Sequence, residues 1–206
     1  MNFETIIRWL GGLTAFSILI ILFYGIWRGT QQKAGRVTGN VSQLLRSSLF
    51  YFLASAIFFG AAYFGWKPLP WDVSPQARVW MLVCGALLYF PGMTFLLWGR
   101  LTLGKYYFVS TGFGAQLFAN HQLITKGPYA IVRHPMYVGL AFAAWGALLI
   151  YFTWTTVYFA CFAPLLAFRA YREEQALSAE FGEQWREYCK RVPAFFPRLR
   201  KVGIHV

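Results

Sequence analysis

Long apolar segments constrain this chain more than any other feature. Three of them cover residues 6–27, 47–66 and 79–98, and a helix needs about 20 such residues to cross the hydrocarbon core of a bilayer. A fourth apolar stretch covers residues 136–168. Hydrophobic residues make up 58% of the chain and charged residues 13%, whereas a soluble domain is typically about 25% charged. The pattern therefore predicts an all-α integral membrane protein.

The fourth stretch is longer than one span requires. The sequence "YFTWTT" near its middle favours a tight helical hairpin with two short arms, and one long tilted helix is the alternative. With the hairpin, the chain becomes a polytopic bundle of about five transmembrane helices. The charged, amphipathic segment from residue 169 onward then forms a C-terminal helix outside the membrane.

The basic residues predict the orientation of this bundle. Of the nineteen Lys and Arg residues, four lie in residues 28–46, four in 99–135 and eight after residue 168. The remaining three are Arg8, Lys67 and Arg78. Because cytoplasmic loops carry the excess of Lys and Arg, we expect the N-terminus outside and the C-terminus in the cytoplasm. The net charge of +12 is explained in this way, so no nucleic-acid partner is expected.

One short stretch combines helix-breaking and ionisable residues. It is "GPYAIVRHPMYVG", residues 127–139, and Pro135 suits the first turn of the helix that follows. Arg133 and His134 then lie at a helix N-terminus, where backbone N–H groups can bind an anion. Anchoring of Arg and Tyr at the membrane interface is the simpler alternative for any one of these residues.

A second group of ionisable residues follows the last apolar stretch. Arg169 and Glu173 are four residues apart and so share one helix face. They could form a local ion pair, or they could border one polar pocket with Arg133 and His134, since ionisable groups near a membrane usually face a cavity. The cysteines and histidines lack the spacing of a metal site, so no metal is expected.

Two blocks of sequence resemble a known family. The blocks are "HQLITKGPYAIVRHPMYVG" and "REEQALSAEFGEQWREYCKRVPAFFP". Together they are similar to the isoprenylcysteine carboxyl methyltransferases and their phospholipid methyltransferase relatives, over residues 103–197. The resemblance is to the family pattern in both blocks, whereas the first three spans match only as generic membrane helices. With the spans predicted from the apolar segments, we expect a single domain over residues 1–206, with three membrane helices in 1–98 and a cofactor-binding segment, the hairpin and the C-terminal helix in 99–206.

The resemblance also implies S-adenosylmethionine as methyl donor and assigns residues to it. The implied donor-contacting residues are His121, Gln122, Leu123, Ile124, Tyr129, His134, Pro135, Met136, Tyr137, Glu173 and Glu174. Glu173 would bind the donor's ammonium, and Arg133 and Arg169 would hold the acceptor, which makes these three the expected catalytic residues. An amine acceptor would also need a base, for which Glu174 and His134 are candidates.

The chain departs from the family pattern at three positions. Ile124 stands where Val is usual, Gly114 where Gln is frequent, and Trp185 where the first of two Tyr residues is usual. The Gln contact to the donor is therefore not expected from this chain's Gly114.

The expected function is methyl transfer to a lipophilic acceptor at the cytoplasmic membrane face. The acceptor could be a prenylcysteine-type carboxylate, a phospholipid amine or another small hydrophobic nucleophile, and the oligomeric state stays open. A membrane reductase of the sterol type, using NADPH, is the rival enzyme class. A non-catalytic membrane scaffold is the third hypothesis.

Overall fold

The computed structural model describes residues 2–31, 34–37, 48–107, 116–118 and 122–197. Its helices are α1 (Phe3–Thr30), α2 (Ser48–Phe64), α3 (Pro75–Leu103), α4 (Pro135–Tyr151), α5 (Trp154–Phe162) and α6 (Leu165–Arg191). Two short strands, β1 (Ala34–Val37) and β2 (Gln116–Phe118), pair antiparallel. The helical fold was predicted, but this small ladder between the segments that follow α1 and α3 was not.

Among the described residues, two helices are long and apolar enough to cross a membrane, namely α1 and α3. The apolar part of α2 and the whole of α4 are shorter. Helix α3 extends beyond its apolar core because Ser74 caps its start, accepting a hydrogen bond from the Ala77 N–H at 3.3 Å, and Pro75 occupies the first turn. The arrangement of five helices across a membrane stays a prediction.

The apolar stretch 136–168 divides into separate helices, as the hairpin alternative requires. Helix α4 ends where Phe152 adopts a left-handed conformation with φ of 53°. Thr153 then caps α5 in a reciprocal capping box with Thr156. After α5, helix α6 begins at Leu165 and carries the chain into its charged region, with a break at Gly182, whose φ is 51°. One long helix over this stretch is therefore excluded.

Glycine residues bring α3 and α4 into backbone contact. Gly85 and Gly92 lie seven residues apart on α3, and Gly139 and Gly146 have the same spacing on α4. A Cβ at Gly139 would lie 2.5 Å from the Gly92 carbonyl oxygen, and one at Gly146 would lie 2.5 Å from the Tyr89 nitrogen. Small residues allow such close approach, which is a common basis for helix association in membranes.

Two arginines fix the end of α4 to the starts of α1 and α3. Arg78 donates hydrogen bonds to the carbonyl oxygens of Leu149 at 2.8 Å and Ile150 at 2.5 Å. Arg78 and Arg8 also pair with the Glu4 carboxylate, at 2.9 and 2.8 Å. These contacts satisfy carbonyl groups that a helix end leaves without intrahelical partners. The start of α4 then lies at the opposite end of the bundle, beside the end of α3.

Replacing Gly146 with Ala should destabilise the fold. The added methyl group would meet backbone atoms that cannot rotate away, and such overpacking costs roughly 1–3 kcal/mol. The thermal unfolding midpoint in detergent should fall by roughly 2–4 °C for each kcal/mol. Gly60→Ala on α2 is the control, because no atom of the described residues lies within 4 Å of the new Cβ, and its midpoint should stay the same or rise. Equal midpoints for the two variants would contradict the close α3–α4 packing.

Candidate active site

The start of α4 is held in place by the C-terminal segment of the chain. As expected from the sequence, α4 begins at Pro135, directly after Arg133 and His134. The Arg133 N–H donates to the Pro193 carbonyl at 2.8 Å, and the His134 N–H donates to the Ala194 carbonyl at 3.1 Å. The residues that precede α4 and those that follow α6 therefore form one backbone-bonded junction.

The Arg133 guanidinium joins this junction to α6 by hydrogen bonds. Its Nε and Nη2 atoms lie 2.9 and 2.8 Å from Oε1 of Glu174. Its Nη1 donates to the Val192 carbonyl at 2.9 Å and to the Cys189 carbonyl at 3.4 Å. Since three of its nitrogens have protein partners, Arg133 acts in this structure as a cross-link between the two sequence blocks.

Glu174 completes the same junction. Nε2 of His134 lies 2.8 Å from the Oε1 atom that Arg133 also contacts. Burial opposes ionisation of Glu174, but hydrogen bonds from His134 and Arg133 outweigh it, so the pKa of this carboxyl falls below its ordinary value. A carboxylate with a lowered pKa is a weak base, and its Oε1 atom already accepts from both Arg133 and His134.

The neighbouring carboxylate, Glu173, points toward Tyr137 and not toward Arg133. Its Oε1 accepts a hydrogen bond from the Tyr137 hydroxyl at 2.5 Å, and its Oε2 lies 3.7 Å from Nδ1 of His134. The side chain is 21% exposed, and burial is the main reason why its pKa is raised above the ordinary value. Glu173 thus keeps acceptor capacity for a further donor, which a bound cation would supply.

Glu173 faces a cavity between the end of α3, the start of α4 and α6. Arg169 borders it one turn before Glu173, with its guanidinium carbon 5.9 Å from the centre of the Tyr137 ring. The predicted residues that line this cavity are Leu123, Ile124, Tyr129, Arg133, His134, Met136, Tyr137, Arg169 and Glu173. The structure therefore brings residues from both sequence blocks to one concave site.

Three of the predicted residues that the structure describes do not line the cavity. Pro135 is buried at the first turn of α4, and Glu174 is turned toward Arg133 and His134. Gln122 is exposed. His121 lies outside the described residues.

Several lining residues were not on the predicted list. Leu103 is the last residue of α3, Tyr106 and Tyr107 follow it closely in the sequence, and Leu177, Trp185 and Tyr188 come from α6. The helical spacing of four that links Arg169 to Glu173 continues to Leu177, so periodicity could have found it. The position of the α3 end has no comparable signal in the sequence, since it depends on the α3–α4 packing.

The comparison with known families agrees with the placement of the two blocks. A family model described as phospholipid methyltransferase matches residues 80–184, just over half of the chain. The chain belongs to the phospholipid methyltransferase family. The matched region runs from α3 into α6 and includes Arg133, His134, Arg169 and Glu173, so the family resemblance seen in the sequence is confirmed.

The proteins that are similar to this chain have different enzyme names. A methanethiol S-methyltransferase of Bradyrhizobium diazoefficiens is 30% identical over 72% of this chain and 59% of its own length. A protein-S-isoprenylcysteine O-methyltransferase of Schizosaccharomyces pombe is 38% identical over 39% of this chain and 35% of its own. A Delta(14)-sterol reductase of Mus musculus is 40% identical over 35% of this chain and 18% of its own. The chain spans less than two thirds of each of these relatives.

Arg133 and Glu174 should be strongly coupled in their effect on the free energy of unfolding. The side chains are only 13% and 25% exposed, so a double-mutant cycle with Arg133→Gln and Glu174→Gln should give a coupling free energy of about 1–3 kcal/mol in detergent unfolding. The Glu183–Arg186 pair, 65% and 62% exposed, is the control and should couple close to zero. Equal coupling in the two pairs would show that Arg133 does not cross-link the blocks.

Proposed function

We propose that the chain transfers a methyl group from S-adenosylmethionine to a lipophilic acceptor. The observation that carries this proposal is the Glu173 carboxylate, which faces an aromatic-lined cavity with acceptor capacity left over. Family membership and the methyltransferase names of two relatives support the reaction class.

The cavity residues fit the chemical groups of this donor. Glu173 can accept hydrogen bonds from the donor's ammonium group. The faces of Tyr107, Tyr129 and Trp185 can stack against adenine and attract a sulfonium cation. Leu123 and Ile124, which precede the Gly127–Ala130 turn in the sequence, add apolar surface to the cavity wall.

The residues of the cavity would work mainly by positioning. When bound, S-adenosylmethionine supplies an electrophilic methyl group on sulfur and leaves as neutral S-adenosylhomocysteine. Arg169 lies beside Glu173 and Tyr137, where its guanidinium can hold an anionic acceptor in line with that methyl group. For an amine acceptor, the candidate bases are His134, which lines the cavity, and Glu174, which is paired with Arg133.

A lipophilic acceptor agrees with the position of the site. The cavity lies at the ends of α3 and α4, two apolar helices of the bundle. The names of the relatives mention a sulfur acceptor in one protein and an isoprenylcysteine acceptor in another. For this chain we propose an acceptor whose apolar part enters between helices while its nucleophile meets Arg169.

The proposed membrane topology has five spans with the N-terminus outside. Support comes from the distribution of Lys and Arg and from the grouping of Arg8 and Arg78 at one end of the bundle. The candidate active site lies at the other end, which would then face the cytoplasm.

A reductase of the sterol type is the second candidate. The similarity to the Delta(14)-sterol reductase favours it, although it covers only 18% of that protein. A reductase would have to bind reduced dinucleotide in the cavity that contains Glu173. Its two phosphates and additional 2′-phosphate would meet this carboxylate, which is unfavourable for anion binding.

Glu173→Ala should weaken binding of S-adenosylhomocysteine by at least about tenfold, because the ligand's ammonium loses a charge-assisted partner. Isothermal titration of the purified chain in detergent measures this affinity. Glu180→Ala is the matched control on the same helix, since Glu180 is exposed and does not line the cavity. Because the Glu173 pKa is raised, wild-type affinity should also fall as the pH is lowered, and it should do so at a higher pH than protonation of an ordinary carboxyl would require.

Two results would contradict this proposal. One is unchanged affinity in Glu173→Ala, and the other is tight NADPH binding without any binding of S-adenosylhomocysteine. Arg169→Ala should leave donor affinity intact but lower the transfer of labelled methyl groups to a membrane lipid extract. Loss of donor affinity in Arg169→Ala would instead place this arginine at the donor.

A further inference from the structure

The last turns of α1 and the end of α3 enclose a second cavity. Its charged residues are Arg28, Arg100 and Lys105. Arg28 and Lys105 are exposed at its rim, whereas Arg100 is buried. Tyr107 lines both this cavity and the candidate active site, so the two share a wall.

Arg100 forms the buried part of this cavity and is only 8% exposed. Its Nη1 donates to the Gly104 carbonyl at 3.2 Å, and its guanidinium carbon lies 4.3 Å from the centre of the Tyr107 ring. Its Nε has no hydrogen-bond partner among the described residues. A Cβ at Gly25 would lie 2.0 Å from Nη2 of Arg100, so the guanidinium occupies space that this glycine leaves open in α1.

The positive charge here has no carboxylate nearby in the sequence. The seven acidic residues are Glu4, Asp72, Glu173, Glu174, Glu180, Glu183 and Glu187. Residues 5–71 and 73–172, which include all of α2, α3, α4 and α5, therefore contain none. Within the described part of the chain, no salt bridge includes Arg28, Arg100 or Lys105. A buried cation is costly without an opposite charge, so the site is built for an anion.

We propose that this cavity binds a phosphate group. The Arg100 guanidinium can donate hydrogen bonds to phosphate oxygens in a fixed geometry. With the two cations at the rim, the cavity has three positive charges, which favour a phosphate over an anion with a single carboxylate. The cavity lies at the ends of α1 and α3, the two helices that are long and apolar enough to cross a membrane. In the proposed topology, the ends of these helices lie near the membrane surface, where lipid phosphates are found. The ligand is therefore the phosphate of a membrane lipid or free phosphate, and it binds independently of the proposed methyl transfer.

Binding of two phosphate probes tests this site. The purified chain in neutral detergent is titrated by calorimetry with inorganic phosphate, dihexanoyl phosphatidic acid and, as a probe without phosphate, dihexanoylglycerol. Saturable binding of a phosphate probe without binding of dihexanoylglycerol is expected. Binding of phosphatidic acid only would identify a lipid phosphate as the ligand, and equal binding of inorganic phosphate would identify the free anion.

Single substitutions distinguish binding in this cavity from nonspecific attraction of anions to a basic protein. Arg28→Gln and Lys105→Gln change exposed side chains and should retain the fold, and each should weaken binding by about tenfold or more. Arg100→Gln should weaken it further. Gly25→Ala keeps every charge but displaces the Arg100 guanidinium, so it should also weaken binding. Lys67→Gln, at the opposite end of the bundle, should bind as the wild type does.

Two outcomes would overturn the proposal. One is the absence of saturable binding of both phosphate probes to the wild-type chain. The other is wild-type affinity in Arg28→Gln, Lys105→Gln and Arg100→Gln chains whose thermal midpoints are unchanged.

Discussion

The arrangement of the candidate active site depends on the ion pair between Arg133 and Glu174. These two residues are 41 positions apart in the sequence, one in each block. Backbone hydrogen bonds from Arg133 and His134 to Pro193 and Ala194 strengthen the same junction. Because Glu174 neutralises Arg133, the adjacent Glu173 is left as the carboxylate that faces the cavity. One glutamate therefore fixes α6 and the other is available for a ligand.

A second constraint comes from the close contact of α3 and α4. Without a side chain at Gly92 or Gly139, the two backbones approach each other directly. This contact sets how far the end of α3 reaches past the start of α4, and so where Tyr106 and Tyr107 meet the cavity. At the opposite end of the bundle, Arg78 binds the last carbonyl groups of α4 and so helps to hold α4 against α3.

The sequence predicted the parts of this structure that depend on local patterns. Apolar length indicated the helices, and Pro135 marked the start of α4. The family resemblance brought residues from both blocks together at one site. It could not predict that Glu174 pairs with Arg133, because neighbours on a helix point about 100° apart and the rotation of α6 is set by tertiary contacts. Likewise, the spacing of Gly85 and Gly92 has structural meaning only once α4 is known to pack against them. The β1–β2 ladder was missed because such short strands leave no periodic signal.

The central claim is that Glu173, and not Glu174, binds the methyl donor in the cavity between α4 and α6. A structure of the protein with S-adenosylhomocysteine tests this claim most directly. The account predicts that the ligand's amino nitrogen lies within about 3 Å of a Glu173 carboxylate oxygen, with the Arg133–Glu174 pair intact. A ligand bound outside this cavity, or one whose amino group pairs with Glu174 after Arg133 has moved away, would contradict it.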